Sequence, residues 1–501
     1  DDEKEQKEKP TNLWFPFLII ILCILFEYIS SSHLPIAGQT NRTIRSNIET
    51  FNVKNARQNL LELTSFGPRV TGSHVAEEVI PQYLQQKLLK LSESFPPGVK
   101  LEIERQNPSS NFYLDFLGGI TNVYQNVTNI VARLTWVEQD YHTKPSNNFS
   151  VLINAHYDSI PGSPGAADDA IGIACMIETL RILAHGKPLQ RPLIFLFNGA
   201  EESNHQAAHG FITKHHWSPW VKYVINLEAI GTGGKEMIFQ CNSGWLANFY
   251  GHHTPHPHAA VMAHELFKYI LHRMASTDWT TLLKYGSPGI RGMDTAYIQN
   301  GYVYHTTFDT ADIVPDGTLV NTGENILYLS KALTTSSEVQ NPTHTDNTDQ
   351  YSVFFDFLGY ILISYTGIYV TIIHILITIV GILVVFLLSR TINNWSYIKL
   401  YYIIRAEIYC FFVPVLITSV YGLLVFLLAP MRWYDGGISI ALLLYVPITI
   451  LSILYIRGNM SITVLNTPYI RILAGLIFPW LIFLIIGIYF QLMSVYACCL
   501  W

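Results

Sequence analysis

The chain has 501 residues, half of them hydrophobic, and a formal net charge of −6. This length exceeds that of one ordinary domain. The mild negative charge and the lack of a basic patch with interleaved aromatic residues give no reason to expect a nucleic-acid partner, and we predict none. Six cysteines are too few and too scattered for a disulfide scaffold. Cys175 and Cys241 could pair in an oxidising compartment, but we expect two buried free thiols.

The N-terminal region combines a short basic segment with an apolar run. Lys4, Lys7 and Lys9 precede the nearly uncharged stretch Leu13–Ile29. This stretch is close to the length that crosses a bilayer, and no clear cleavage site follows it. We therefore predict a cytosolic tail over 1–12 and an uncleaved signal-anchor helix over 13–31. The alternative is a signal peptide that is removed.

Residues 32–350 alternate between short apolar runs and stretches with helical periodicity. The runs that predict strands are Asn129–Leu134, Val151–Ala155, Pro192–Asn198, Tyr223–Leu227 and Thr295–Ile298. The stretches that predict helices are Ala56–Thr64, Ala76–Ser92, Asp169–Ala184, Ala207–His215, His258–Leu271 and Thr318–Thr335. Repeated strand–helix–strand units predict an α/β fold with a largely parallel sheet and helices on both faces.

Residues 351–501 form a second apolar block. We predict a membrane domain with about four transmembrane helices, at Ile368–Leu388, Ile408–Leu428, Ile438–Ile456 and Ile470–Phe490. The shorter stretch Val353–Tyr365 carries Asp356, and we predict that it is an interfacial or re-entrant helix.

The loops of this block indicate its orientation. Basic residues fall in the loops at 390–405 and 457–471, and basic loops face the cytosol. The domain at 32–350 is therefore predicted on the opposite side of the membrane. Glycosylation sequons at Asn41, Asn126 and Asn148 agree with this placement, whereas those at Asn394 and Asn459 should stay unmodified.

Most of the candidate metal ligands follow apolar runs that are typical of buried parallel strands. They are His156 and Asp158 after the run 151–154, Asp168 at the start of a helix, Glu201 and Glu202 after the run 192–197, Glu228 after the run 223–227, and His305 after the run 301–304. Ligands of open α/β sheets bind outside the carboxyl ends of the strands. We therefore expect these side chains to converge at one edge of the sheet.

The number and type of these groups suit two zinc ions. Zinc binds imidazole nitrogens and carboxylate oxygens, and two zincs about 3.5–4 Å apart need a ligand that spans them. We predict Asp168 as the bridge, with His156 and Glu228 completing one site and Glu202 and His305 completing the other.

Two acidic residues remain for the chemistry. Glu201 is predicted as the general base, which takes a proton from a water held between the metals and passes it to the leaving amine. Asp158 lies two residues beyond His156 and is predicted to hold that imidazole in the tautomer that binds the metal.

Five ordered motifs resemble those of the co-catalytic di-zinc aminopeptidase family, which includes bacterial leucyl aminopeptidases and is related to glutamate carboxypeptidase and the transferrin receptor. The motifs are His156-Tyr-Asp158-Ser, Gly165-Ala-Ala-Asp168-Asp169-Ala-Ile-Gly, Asn198-Gly-Ala-Glu201-Glu202, Asn226-Leu-Glu228-Ala and Tyr304-His305-Thr-Thr-Phe-Asp309-Thr. The order of anchor, peptidase domain and multi-span tail is similar to that of the family's members in the endoplasmic reticulum membrane. The resemblance implies two Zn²⁺ per chain, a peptidase domain in the lumen of the endoplasmic reticulum, and a cis peptide bond between Asp168 and Asp169.

Two departures accompany this resemblance. Many soluble members have Asp in place of Glu228, and the extra methylene leaves ligation possible. The membrane relatives continue beyond the position of Trp501, so we expect a short form or a fragment.

The predicted function is that of a membrane-anchored, zinc-dependent exopeptidase, of aminopeptidase type, that acts on peptides or proteins in the lumen. The predicted partners are these substrates and the lipid bilayer, and the sequence leaves any protein partners unknown. A catalytically silent binding module and a one-zinc, glutaminyl-cyclase-like acyltransferase are the alternatives. Arg291 is either a clamp for a substrate carboxylate or part of a surface salt bridge.

Overall fold

A computed structural model of the protein describes residues 34–36, 50–115, 118–137, 149–342, 351–357, 359–390 and 480–500, with isolated positions between 416 and 427. The tail at 1–12, the anchor at 13–31 and the spans Ile408–Leu428 and Ile438–Ile456 lie outside the described residues. The predicted domain boundaries at 32–350 and 351–501 stay predictions.

The described residues form eleven strands and eleven helices. The strands are β1 (Val99–Gln106), β2 (Ser110–Leu114), β3 (Ile120–Tyr124), β4 (Asn129–Trp136), β5 (Ser150–His156), β6 (Leu193–Asn198), β7 (Val221–Ala229), β8 (Met237–Cys241), β9 (Arg291–Tyr297), β10 (Ser352–Phe357) and β11 (Ile361–Thr366). The helices are α1 (Val53–Thr64), α2 (Ile80–Ser92), α3 (Ile171–Ala184), α4 (Gln206–Lys214), α5 (Gly244–His253), α6 (Val261–Tyr269), α7 (Asp278–Tyr285), α8 (Asp316–Thr335), α9 (Ile368–Arg390), α10 (Trp480–Tyr489) and α11 (Tyr496–Leu500).

A seven-stranded sheet with the order β1-β4-β6-β5-β7-β9-β8 forms the centre of the α/β part of the chain. The four central strands β6, β5, β7 and β9 are parallel, whereas β1, β4 and β8 pair antiparallel at the two sides. The predicted α/β class is confirmed, but the largely parallel sheet is a mixed one. The physical reason is that antiparallel outer strands need no helical crossover, so strand–helix alternation predicts only the centre.

Helices cover both faces of this sheet, as the sequence predicts. Val151 and Ile153 of β5 pack into one core with α1, α2, α3 and α8, while Leu152 between them packs into a second core with α4 and α7. Successive side chains of a strand point to opposite faces, and both faces of β5 are buried. This explains why its sequence is a continuous apolar run rather than an alternating one. The thiols of Cys175 and Cys241 are buried and donate to the backbone carbonyls of Leu319 and Ser243 instead of forming a disulfide, as predicted.

The interfacial or re-entrant helix predicted at Val353–Tyr365 is wrong. This stretch is an antiparallel hairpin of β10 and β11, and it pairs with the domain through a bridge between Phe355 and Ala260. Asp356 accepts a hydrogen bond from the backbone N–H of Gly359 at 2.6 Å, so its carboxylate stabilises the turn between the two strands. Aromatic and β-branched residues around such a turn favour strands over a helix.

Helix α9 follows the hairpin directly. Its segment Ile368–Leu387 is 20 residues long and apolar enough to cross a membrane, in agreement with the first predicted span. The last predicted span contains the shorter apolar helix α10, and Leu481 of α10 packs against Gly381 in the middle of α9.

Candidate metal centre

The seven predicted site residues converge at the carboxyl edge of the parallel strands. His156 is the last residue of β5 and Glu228 lies next to the end of β7. Glu201 and Glu202 follow β6 after a two-residue turn, and His305 lies in the loop after β9. The order of strands in the sheet therefore brings together residues that are up to 149 positions apart in the chain.

Three buried residues form the first ligand group. The Nε2 atom of His156 lies 3.1 Å from Oδ1 of Asp168 and 3.7 Å from Oε2 of Glu228. One potential ligand atom from each residue lies within 4.8 Å of the other two. This cluster is the set that the sequence assigns to the first zinc.

The second ligand group shares Asp168 with the first. The Nε2 atom of His305 lies 3.2 Å from Oδ2 of Asp168 and 3.4 Å from Oε2 of Glu202. Asp168 thus directs one carboxylate oxygen to each group, as a bridging ligand requires. The peptide bond between Asp168 and Asp169 is cis, as the family resemblance implied.

The pocket strongly favours positive charge. Burial opposes protonation of His156, but hydrogen bonds to Asp158, Asp168 and Glu228 raise its pKa well above the usual range. Burial likewise opposes protonation of His305, yet its carboxylate partners raise its pKa to about 9. Burial also raises the pKa of Glu202 to about 7. Carboxylates that are costly to bury alone become favourable beside a cation.

Glu201 lies beside both groups but belongs to neither. Its Oε1 atom is 3.4 Å from Nε2 of His205, and its side chain is 12 % exposed. Burial, followed by the negative charge of Glu228, raises the pKa of Glu201 well above the usual value for a glutamate. A buried carboxyl group with a raised pKa is a candidate for general acid–base catalysis.

Asp158 connects the strand that carries His156 to the Glu201–Glu202 turn. Its two carboxylate oxygens accept the backbone N–H groups of Glu201 and Glu202, each at 3.1 Å, and one also accepts the hydroxyl of Thr71. The Nδ1 atom of His156 is 3.1 Å from the backbone carbonyl of Asp158 and 3.4 Å from its carboxylate. Both acceptors favour the tautomer that leaves Nε2 free for a metal.

Two further residues that the sequence analysis left without a role fix the backbone around Asp168. Asp309 accepts the backbone N–H groups of Ala167 and Asp168 at 2.8 and 3.2 Å. Arg69 is fully buried and donates to the backbone carbonyls of Tyr157 and Gly165, at 2.5 and 2.8 Å. Asp309 stands in the quoted motif after His305, so its position was a signal, but nothing local marks Arg69.

A separate cluster of Glu104, His215 and His216 also has metal-ligand chemistry. Here the Nδ1 atom of His215 accepts the backbone N–H of Trp217 at 3.2 Å. In the neutral ring the proton is then on Nε2, which faces Glu104 at 3.3 Å. Metal binding through Nε2 would require the opposite tautomer and the loss of the bond from Trp217, so we assign no metal to this cluster.

The geometry defines the class of this protein. Two groups of imidazole and carboxylate ligands share one aspartate, and an acidic residue lies beside them without belonging to either. Oxygen and nitrogen donors in groups of three match the three protein ligands of catalytic zinc rather than the four of a closed structural site. The site has the ligand chemistry of a zinc-dependent hydrolase.

Comparison with known proteins gives a family match for the region that carries the site. The chain matches the model of peptidase family M28 over residues 129–330, which include all seven site residues. It is 40% identical over 318 residues to endoplasmic reticulum metallopeptidase 1 of Rattus norvegicus, which covers 63% of this chain and 34% of that protein. It is 32% identical over 451 residues to putative endoplasmic reticulum metallopeptidase 1-B of Caenorhabditis elegans, which covers 87% of this chain and 48% of that protein.

The chain thus spans between about a third and a half of the length of these curated relatives. Among solved structures it is similar to a zinc aminopeptidase from Bacillus subtilis, with 14% identity and a TM-score of 0.42 over 59% of this chain and 98% of that one.

Proposed function

We propose that the chain is a membrane-anchored exopeptidase of aminopeptidase type that uses two zinc ions to hydrolyse terminal peptide bonds in the lumen of the endoplasmic reticulum. The observation that carries this proposal is the position of Asp168, whose two oxygens face two different ligand groups at 3.1 and 3.2 Å. A single-metal site would need only one of these groups.

The residues that would hold the ions follow from the two groups. His156, Asp168 and Glu228 would hold one, and Asp168, Glu202 and His305 the other. When bound, zinc acts as a Lewis acid and lowers the pKa of a bound water to about 7.

Glu201 is the residue of this chain that would move the proton. As a carboxylate it would accept a proton from the attacking water, and as the acid it would return that proton to the leaving amine. The bonds from Asp158 to the N–H groups of Glu201 and Glu202 hold this turn against the strand that ends in His156. Asp158 therefore supports both the base and a ligand.

Charge favours an aminopeptidase over a carboxypeptidase. Among the described residues, the groups that most affect the pKa values of Glu201 and Glu202 are carboxylates and histidines, with no lysine or arginine among them. The candidate clamp Arg291 is the first residue of β9, at the edge of the sheet opposite to the metal centre, and it packs over Trp245. β9 extends about 20 Å to the edge that carries the site. Arg291 therefore lies too far from the site to clamp a substrate carboxylate there, which favours a substrate bound by its free α-amine.

Contacts near the C-terminal end support the proposed membrane arrangement. Glu265 of α6 accepts the backbone N–H groups of Met493 and Ser494, at 2.6 and 2.8 Å, just after the apolar helix α10. The residues before α9 and those after α10 therefore lie on the same side as the peptidase domain. This placement supports an even number of crossings between them, in keeping with the four predicted spans.

The test is a peptide series with matched end groups. The full chain, loaded with zinc, should release the first residue of a peptide with a free N-terminus and an amidated C-terminus. It should leave the acetylated, free-acid peptide of the same sequence intact. Release of the last residue would refute the aminopeptidase assignment. Metal content distinguishes the alternatives, because a silent binding module should hold no zinc and a cyclase-like acyltransferase one.

A further inference from the structure

Helix α6 exposes an apolar stripe although it packs against the domain on its other side. Met262, Leu266, Tyr269 and Ile270 are between 43 and 63% exposed, and their spacing of four, three and one residues places them along one helical face. Met274, after the helical turn that follows α6, is 68% exposed. The opposite face buries Val261, His264 and Glu265. A surface helix of a soluble domain normally has one apolar stripe, which faces the core, and polar residues on its exposed side. The exposed side of α6 departs from this pattern.

The position of this stripe is fixed by contacts of the buried face. Glu265 accepts the backbone N–H groups of Met493 and Ser494, which follow the apolar helix α10. Met493 in turn accepts the backbone N–H of Ser352 at the base of the hairpin through its sulfur. The neighbouring Tyr351 accepts the backbone N–H of Gly367, the residue before α9, at 2.7 Å. Helix α6 therefore lies beside the point where both apolar helices meet the domain.

We propose that α6 and the turn after it rest in the membrane interface, with this stripe in contact with lipid. The inference relies on the membrane anchoring in the proposed function. Interfacial helices bury their apolar face about 5–10 Å deep at the boundary between headgroups and acyl chains. Tyr269 suits this boundary, where aromatic rings with a polar tip are enriched. Lys268, 5.3 Å from the centre of the Tyr269 ring, can meet anionic headgroups.

This contact would determine where the cleft faces. His264 of α6 accepts the backbone N–H of Cys241, the last residue of β8, which pairs with Met293 near the start of β9. The metal centre lies at the other end of β9. The stripe on the membrane thus directs the cleft into the lumen, towards peptides that are free in solution rather than embedded in the bilayer.

Site-specific photo-crosslinking tests the proposal in the full chain. The photoreactive residue p-benzoylphenylalanine replaces Ile270 in one sample and Ile298 in its matched control, and each chain is reconstituted in vesicles of radiolabelled phosphatidylcholine. Ile298 follows β9 at the edge with the metal centre and is 49% exposed, against 63% for Ile270. Illumination should attach labelled lipid at position 270 and leave position 298 at background.

Each other outcome has a defined meaning. A crosslink from position 270 to a peptide of residues 391–479 would show that the chain's own membrane segment covers the stripe, and a crosslinked dimer would show a second copy. Equal labelling at both positions, or none at position 270, would leave the stripe without a specific lipid contact. Each of these results overturns the inference. Extraction of the same samples with alkaline carbonate shows independently whether the chain is anchored, so failure of the stripe and failure of the anchoring are distinguishable.

Discussion

Replacement of Glu201 by glutamine separates the proton-transfer role from metal binding. The side chain keeps its shape but loses the ability to accept a proton. Because Glu201 belongs to neither ligand group, the variant should still bind two zinc ions. Burial raises the pKa of Glu201 well above its usual value, so the neutral amide removes a buried ionisable group and should not reduce folding stability.

The expected loss is that of a general base. General acid–base catalysis contributes about 10²–10⁴-fold to the rate, or roughly 3–5 kcal/mol of transition-state free energy. This loss should appear in kcat with little change in KM, because the proton moves only as the reaction proceeds.

The neighbouring Glu202→Gln variant is the matched control. It makes the same chemical change one residue along the chain, at a similar exposure of 11% against 12%. Since Glu202 lies 3.4 Å from the imidazole of His305 in the second ligand group, this variant should lose one of the two zinc ions. The pair of variants thus differs in metal content while both lose activity.

The measurements are zinc per chain by elemental analysis and steady-state hydrolysis of a peptide with a free N-terminus. Loss of zinc in the Glu201 variant with full zinc in the Glu202 variant would mean that the two roles are exchanged. A kcat in the Glu201 variant within about tenfold of the unchanged enzyme would refute its role as the base.

Four further predictions follow from the same geometry. Asp168→Asn replaces one bridging oxygen with an amide that cannot ligate through nitrogen, so elemental analysis should show loss of most metal, and full occupancy would contradict the bridge. Removal of zinc by a chelator should lower the free energy of unfolding, by about 4 kcal/mol if free zinc had been a thousand times its Kd. An unchanged denaturation midpoint would mean that zinc binding does not stabilise the folded state. Burial raises the pKa of Glu236 from 4.5 to about 7, so the folded state keeps this proton after the unfolded state has lost it. The contribution of this group to the free energy of unfolding therefore decreases as the pH rises from about 4.5 to about 7. Glu236→Gln should therefore gain up to about 3 kcal/mol over the unchanged chain as pH rises through this window, measured by denaturant unfolding. Glycosidase treatment of microsomes should remove glycan from Asn126 and none from Asn394. Glycan at Asn394 would show that the orientation in the membrane is opposite to the predicted one.

The candidate site was predictable because its chemistry is encoded locally. His156 and Glu228 each lie at or next to the end of a strand that is buried on both faces, and such strands appear in the sequence as continuous apolar runs. Once a parallel sheet is inferred, its carboxyl edge gathers these positions without further information. The roles of the residues stay predictions, but their convergence did not require the structure.

The outer parts of the fold could not be predicted in the same way. Strand β1, Val99–Gln106, is half-buried and carries alternating charges, of which Glu102 pairs with Arg133 on the neighbouring strand β4. From the sequence alone, the charged residues of β1 indicate a solvent-exposed segment, because the partner on β4 is not apparent. The hairpin at 352–366 was missed for a different reason, because the short stretch with Asp356 was interpreted as an interfacial or re-entrant helix, whereas Asp356 binds the turn through Gly359. Long-range pairing with β4 decides β1, but the aromatic and β-branched residues of the hairpin were a local signal for strands.

The acidic residues of the centre fall into two sets by the donors they face. Asp158, Asp169 and Asp309 accept backbone N–H groups, which neutralise part of their charge and fix the loops around the site.

Asp168, Glu202 and Glu228 instead face imidazoles, with one additional side-chain amide at Glu228. Buried carboxylates without backbone donors need a cation, because an unpaired charge is costly in the interior. The second set is therefore the one that metal ions would complete. Among the described residues no backbone N–H group donates to the carboxylate of Glu201, which lies 3.4 Å from the imidazole of His205. Burial lowers the pKa of His205 to about 4, so this imidazole is neutral near pH 7. A carboxylate in that condition beside the two ligand groups is suited to exchange a proton, and this division by donors supports the proposed assignment of Glu201 as the base and of the second set as ligands.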